Sequence, residues 1–381
     1  MRVVAVHFSS PGAYPPLMRA LEALCVRGHH CRLLGTLSGA SYSAALPAIE
    51  GLSANILARR SHRLALPFAM CWLLLKCTLA AFSRPHWVYA SDPLSLPAAR
   101  WLSWLSGARL LYQEHDSPQP DEAPRSWFWR WLLRLRVGTL KRADISVFPN
   151  QQRLELAHRQ AGVGAGQQFL LWNVPALKEL PELHSKPEQR PERLLLHFHG
   201  SISEVRLPEQ IIEALASDPR VELQIVGYDL SGRNIVEQLL ARARALGAGD
   251  RVRYLGPITD RQQLMRVAAS ADVGIGFVAV SAKNYNHFTG DGASNKIFEY
   301  LGAGLALLCN NSPQWQEFVP RFGIAVDPYD VDALKQAFQR FLADSPSPRR
   351  LGAEGHTQIQ KVWNFECAFA PLLQLLEATT P

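Results

Sequence analysis

Residues 291–311 read DGASNKIFEYLGAGLALLCNN, a turn, a helix, a second turn and a strand in immediate succession. Gly290, Asp291 and Gly292 are turn formers, Ile297, Phe298 and Leu301 recur at helical spacing, Gly302 and Gly304 break the run, and Leu305–Cys309 is apolar. A helix that begins near Ser294 points free backbone N–H groups and the positive end of its dipole at the loop before it, which makes an anion site. Lys296 adds a full charge in the first turn. Glu299 lies one turn beyond Asn295 and Lys296, so the three side chains gather at the ligand end. A carboxylate beside a phosphate site needs an uncharged partner, and a ribose diol fits. Read alone, the same residues also describe Ser294 capping an ordinary helix with Glu299 as a surface charge.

Outward from this stretch, 381 residues with 48% hydrophobic content suffice for two sizeable cores. The six cysteines are scattered without CxxC pairs, which reads as buried thiols in a reducing compartment and as neither a disulfide framework nor a metal site. The net charge of +7 is uneven: residues 1–190 hold 22 Lys and Arg against 12 Asp and Glu, and the rest hold 18 against 21. A basic first half expects an anionic surface, such as phosphates, phospholipid headgroups or nucleic acid. With no recognised nucleic-acid motif, nucleic acid is the weakest of these.

The opening carries no signal-peptide pattern. Val3–Phe8 reads as a buried strand, Ser9–Pro16 as a loop, Leu17–Val26 as a helix stopped by Gly28, and Cys31–Leu34 as a second strand. That order opens a doubly wound sheet, although the loop lacks the GxGxxG of a dinucleotide site. Leu64–Phe82 carries a single charge, Lys76; with Pro67 near its start and the strand WVYA close behind, it reads as a core helix and not as a membrane span. Strands ending at Ser91-Asp92-Pro93 and at Glu114-His115-Asp116 bring polar groups to the ligand side of the sheet. His115 reads either as a residue that orients or polarises a substrate or as a hydrogen-bonded loop histidine.

Arg125–Arg142, RSWFWRWLLRLRVGTLKR, sets Trp127, Phe128, Trp131, Leu132 and Leu135 at helical spacing among Arg125, Arg130, Arg134, Arg136, Lys141 and Arg142. Such a helix can lie in an anionic membrane interface or pack its aromatics on the sheet.

Proline and charge thicken between Pro175 and Pro191, a linker composition. A second strand and helix series follows from Leu194, with Arg206 on its first loop in reach of a phosphate. The expected organisation is a first domain over 1–175, a linker over 176–192, a second domain over 193–357 and a C-terminal helical segment over 358–381. The fold class is α/β.

The landmarks LQIVG, DRVRYLG, ASADVGIGF and SNKIFEYLGAGLALL resemble, in order and spacing, those of the nucleotide-sugar glycosyltransferases of GT-B fold, specifically the retaining family 4. The resemblance implies two Rossmann-like domains facing a central cleft. It also implies a role for an acidic pair with seven residues between them, matched here by Asp291 and Glu299. Glu299 would hold the donor ribose and Asp291, where many relatives have Glu, would contact the transferred sugar. Relatives hold the donor diphosphate with a basic pair on the loop after the first strand of the second domain; aligned on Gly200, these positions fall on Ser201 and Arg206, so one charge is missing. Lys296 or backbone donors would compensate. Gly12 matches the loop that approaches the donor phosphates, and His115 matches a histidine near the reacting sugar.

What the resemblance implies is transfer of a sugar from a nucleoside diphosphate sugar to an acceptor hydroxyl, with retention and without metal or cofactor. The acceptor would be a saccharide or lipid-linked saccharide, in bacterial polysaccharide or glycolipid assembly. The expected location is cytoplasmic, peripheral on the inner membrane face, with Trp127, Phe128, Arg130, Trp131 and Arg134 toward membrane or acceptor. Two alternatives share the architecture: a nucleotide-sugar epimerase, and a non-catalytic partner of an active transferase.

Overall fold

The computed structural model describes residues 1–38, 46, 48–59, 65–116, 126–183, 192–229, 232–278, 294–310, 319–344 and 347–380. The chain divides into two compact units, one made of Met1–Asn173, Asn284–Thr289 and Glu366–Pro381, the other of Val174–Lys283 and Gly290–Phe365.

In the first unit, β1 (Arg2–His7), α1 (Pro15–Val26), β2 (His30–Ser38), β3 (Leu52–Arg59), α2 (Ala65–Ala81), β4 (Trp87–Ser91), α3 (Leu96–Ser106), β5 (Arg109–Gln113), α4 (Trp127–Leu140), β6 (Ile145–Phe148), α5 (Gln151–Ala161) and β7 (Gln167–Leu170) follow one another. Their seven strands form a parallel sheet in the order β3-β2-β1-β4-β5-β6-β7. The central strands read as continuous apolar runs because helices cover both faces. Val4, Val6, Val88, Ala90, Leu110 and Tyr112 pack against Leu73 and Cys77 of α2 and Leu102 of α3. The edge strands β3 and β7 escape the sequence reading. Ser53 and Asn55 interrupt the apolar pattern of β3, and β7 is only half-buried, so neither carries the signal of a central strand.

The second unit runs β8 (Leu194–Ile202), α6 (Gln210–Ala216), β9 (Val221–Asp229), α7 (Ile235–Ala245), β10 (Val252–Tyr254), α8 (Arg261–Ala269), β11 (Val273–Gly276), α9 (Asn295–Gly302), β12 (Ala306–Asn310), α10 (Val319–Phe322), β13 (Gly323–Val326), α11 (Val331–Leu342) and α12 (Pro348–Lys361). Its six parallel strands lie in the order β10-β9-β8-β11-β12-β13. Both units are therefore Rossmann-like, and the α/β fold class expected from the sequence is what the chain adopts. Within the proline-rich stretch, Leu180 and Leu183 pack where Gly302 and Gly304 leave room for them, so the first part of that stretch belongs to the body of the second unit.

The C-terminal helical segment expected over 358–381 divides between two helices: α12 ends at Lys361 and α13 spans Phe365–Ala378. The break falls at Trp363-Asn364, where the buried Asn364 amide donates to the carbonyls of Ile359 and Gln360 at 3.0 Å and so ties off the end of α12. From Glu366 on, the chain belongs to the first unit. There Glu377 accepts from Arg27 at 3.1 Å and pairs with His29 at 2.9 Å.

Candidate active site

In an open parallel sheet, ligands bind beyond the carboxyl ends of the strands, where the strand order reverses. That point lies between β1 and β4 in the first unit and between β8 and β11 in the second. Each carries a cluster of buried polar side chains.

In the second unit β8 delivers His197, His199, Gly200 and Ser201, and α9 delivers Asn295, Lys296 and Glu299. Gly200 has a φ of +107°, a conformation that suits glycine, and a Cβ there would stand 2.8 Å from Lys296 Cε. The lysine thus runs directly past the end of β8, with its ammonium 5.3 Å from the Phe198 ring. Arg206 donates to the Ser201 hydroxyl. Burial, with Arg206 nearby, holds the Lys296 amine down at about 7, while Glu299 pulls the other way. Arg206, Lys296 and Ser201 form a compact cationic corner.

Glu299 does not lie on a surface turn, as the simplest reading of the sequence would have it. It is 2% exposed and held from two sides. Arg261 on α8 donates to Oε1, and His199 Nε2 stands 2.7 Å from Oε2. Behind His199 a directed chain continues. The Gln224 amide donates to the Val267 carbonyl at 3.0 Å, which fixes its orientation, and lies 3.1 Å from His197 Nδ1. His197 Nε2 in turn lies 3.0 Å from His199 Nδ1. Donation then runs from Gln224 through both imidazoles to the carboxylate, with each histidine the Nε2–H tautomer. Burial lowers both histidines below the ordinary range, in keeping with neutral rings. Asn295 Oδ1 and Arg261 Nε are buried with no hydrogen-bond partner among the described residues. Unmet polar atoms beside a rigid carboxylate are what a ligand with hydroxyl and phosphate groups would satisfy.

In the first unit, His7 ends β1, Ser91 ends β4 and His115 follows β5. The Ser91 hydroxyl lies 3.1 Å from His7 Nδ1 and 2.9 Å from His115 Nε2. His7 Nδ1 also lies 3.1 Å from the Ser91 carbonyl, which can only accept, so that nitrogen carries the proton. Nε2 is left to accept from Ser9 at 2.8 Å. Tyr14 packs its ring edge-on 4.4 Å from His7 and tilted 5.4 Å from His115. Burial pushes His7 down to about 3 and His115 to about 4, and pushes the Asp92 carboxyl up to about 7. Asp92, 3.2 Å from His7, has a φ of +78° and a ψ of 158°, a region costly for any residue but glycine. Gly12 lies in the 3₁₀ turn Pro11–Ala13 just after β1.

Among the residues singled out from sequence, Ser201, Arg206, Asn295, Lys296 and Glu299 meet in one corner of the second unit, and His115 lies in the first-unit cluster. Asp291 lies outside the described residues, as does Arg125. Trp127, Arg130, Trp131 and Arg134 are exposed on α4, whereas Phe128 is half-buried. Arg136 leaves the basic rim expected for that helix: it is buried and pairs with Glu114 at 2.6 Å, because an interior carboxylate at the end of β5 needs a fixed counter-charge. The sequence reading missed His7, Tyr14, His199 and Arg261. The two histidines sit inside apolar strand runs, and Arg261 looks like an ordinary helix-start arginine. Among the described residues no group of His, Cys, Asp or Glu side chains could hold a metal ion.

Residues 179–358 match the family model described as glycosyl transferases, group 1. No curated protein sequence matches the chain. Sucrose-phosphate synthase from Thermosynechococcus elongatus superposes with a TM-score of 0.71 at 17% identity, covering 99% of both chains. HepE of Anabaena, solved with UDP, gives 0.72 at 17% identity over 99% of this chain and 100% of its own. A UDP-N-acetylglucosamine 2-epimerase gives 0.62 at 13% identity over 99% and 96%. The chain thus has the fold of the GT-B glycosyltransferases, and the part of it that holds Glu299, Lys296 and Arg206 matches the group 1 glycosyl transferase family.

Proposed function

We propose that the protein is a retaining, metal-independent glycosyltransferase that moves a sugar from a nucleoside diphosphate sugar to an acceptor hydroxyl. The observation that carries this reading is the buried, doubly held carboxylate of Glu299 beside the Lys296 and Arg206 cations. A rigid acceptor for a ribose diol next to a cationic corner for a diphosphate is the pairing a nucleotide-sugar donor requires. The group 1 match over 179–358 supports it, and the HepE structures with UDP and with UDP-glucose make uridine the first nucleoside to test.

As the bond from the anomeric carbon to the diphosphate oxygen breaks, negative charge grows on the departing group. Lys296, Arg206, the Ser201 hydroxyl and the N–H groups at the start of α9 stabilise that charge more than they stabilise the bound donor. The acceptor oxygen bonds to the same face of the sugar, and its proton passes to the departing phosphate. In this reading Asn295 and Glu299 hold the nucleoside, Asp291 and His115 orient the transferred sugar, and the loop of Gly12 approaches the phosphates. The acceptor is a saccharide or lipid-linked saccharide of polysaccharide or glycolipid assembly. The exposed Trp127, Trp131, Arg130 and Arg134, with Phe128, set α4 against the inner face of the membrane.

Incubation with UDP-hexoses and a panel of saccharide acceptors tests the reaction, with proton NMR of the new anomeric centre. A product with the donor's anomeric configuration, released with UDP, is expected. Binding of UDP without turnover of any donor would favour the partner-protein alternative. The epimerase likeness supports a second reading, in which UDP-N-acetylglucosamine alone, without acceptor, yields its 2-epimer.

A further inference from the structure

Apart from Lys76 and Thr78, helix α2 is apolar on all sides, yet among the described residues only one side of it is covered. Ala69, Leu73, Cys77 and Ala80 enter the core of the first unit. On the opposite side Phe68, Cys71, Leu75 and Leu79, with Phe82 just past the helix end, follow one another three or four residues apart, and the four hydrocarbon side chains are 53–82% exposed. The neighbouring α3 continues the surface. Trp101 donates to Thr78 of α2 at 2.9 Å, and Trp104, 73% exposed, stacks 5.2 Å from Trp101. Contiguous exposed apolar surface of this extent marks an interaction site, since water alone leaves it at a cost.

The charge pattern names the partner. Neither α2, α3 nor α4 contains an Asp or Glu, whereas Lys76, Arg100, Arg130 and Arg134 lie on them and the exposed Arg84, Lys141 and Arg142 just after them. Two such faces brought together would oppose cation to cation, which disfavours a second copy of the chain. Tryptophan and phenylalanine flanked by arginine and lysine match the headgroup level of an anionic bilayer. No helix among the described residues is long and apolar enough to cross a membrane, so α2 would lie in the interface plane.

We propose that the outer face of α2 and α3, adjoining α4, seats the first unit on an anionic lipid bilayer, with Phe68, Leu75, Leu79, Phe82 and Trp104 entering the headgroup boundary. This goes beyond the amphipathic α4 and assigns the larger share of the contact to a helix whose sequence reads as core.

The test is co-sedimentation of the full chain with vesicles of equal parts phosphatidylglycerol and phosphatidylcholine, and with phosphatidylcholine alone. A Leu75→Gln/Leu79→Gln/Trp104→Gln variant changes outward side chains only. We expect wild-type binding to the anionic vesicles to exceed that of the variant on the order of tenfold or more, with weak binding to phosphatidylcholine. Equal binding by the two proteins would overturn the proposal. So would a lipid-free dimer, seen by light scattering, that the variant dissolves. Should the triple variant fail to fold, quenching of tryptophan fluorescence by brominated lipid in wild type and in Trp104→Gln reads the same contact; quenching unchanged by the substitution is the contrary result. UDP affinity without vesicles serves as the control. If neither protein binds UDP, the sugar-transfer reading falls while the docking result stands.

Discussion

Glu299 and His199, 100 residues apart in the chain, meet with Nε2 and Oε2 2.7 Å apart, and both side chains are almost wholly buried. Arg261 takes the other carboxylate oxygen, so the group is fixed before any ligand arrives. Truncation to Glu299→Ala would leave His199 without its carboxylate inside the protein and Arg261 with only Glu179, 3.8 Å away. A loss of about 3–5 kcal/mol in unfolding free energy is expected, where a surface glutamate would cost next to nothing. Glu299→Gln keeps the shape and should lose donor affinity with a much smaller loss of stability. Chemical denaturation and calorimetric titration with UDP separate the two effects.

Lys296 provides a proton-linked signature. With its free-state amine held at about 7, it is mostly neutral at pH 8 and mostly charged at pH 6. A bound diphosphate favours the ammonium, so UDP binding at pH 8 should take up close to one proton, and at pH 6 almost none. Affinity falls as pH rises above 7. Titration calorimetry in buffers of different ionisation enthalpy measures the uptake. Heats that do not depend on the buffer at pH 8 would remove Lys296 from the diphosphate site.

Arg206 acts on the same corner twice, as a donor in its own right and as the neighbouring charge that depresses Lys296. Arg206→Ala should weaken UDP binding by roughly 1.5–3 kcal/mol, the worth of a charged hydrogen bond, and should move the proton-uptake window to higher pH. A weakened affinity with an unmoved window would place Arg206 too far from Lys296 to matter electrostatically.

The first-unit cluster predicts opposed pH dependences. His115 stays neutral in the folded state down to about 4, whereas an unfolded histidine takes up a proton near 6.5, so its share of stability falls as pH drops through that window. The loss approaches about 3 kcal/mol. Asp92 does the reverse: folded, it keeps its proton up to about 7, so its share grows as pH falls from 7 toward 4. Urea denaturation of His115→Gln and Asp92→Asn at pH 7 and 4.5 should therefore show shifts of opposite sign relative to wild type. Shifts of the same sign would contradict the burial of both groups in their neutral forms.

Much of the fold was legible because buried parallel strands leave continuous apolar runs, as in Val3–Phe8 or Val273–Phe277, and helices follow them with glycine stops. The strands that escaped were at or near the margins: β3, β7 and β13, whose short or mixed sequences carry little periodic signal. In the candidate site, Lys296 and Glu299 stand out by their spacing at a helix start, and Arg206 by its place on the loop after β8. His199 and Arg261 do not. Their contact with Glu299 arises from the packing of β8, α8 and α9, which no local pattern encodes. Helix α2 shows the same limit from the other direction. An apolar helix is expected to be covered, and sequence alone does not say by what.

The most direct measurement is calorimetric titration of UDP, GDP, ADP and CMP into the full chain and into Glu299→Gln. One nucleoside diphosphate, with UDP the first expected, should bind the wild-type chain well ahead of the others and bind Glu299→Gln at least tenfold more weakly, about 1.4 kcal/mol. No binding by any of the four, or equal binding of the preferred nucleotide to both proteins, would contradict the assignment of this corner as a nucleotide-sugar site.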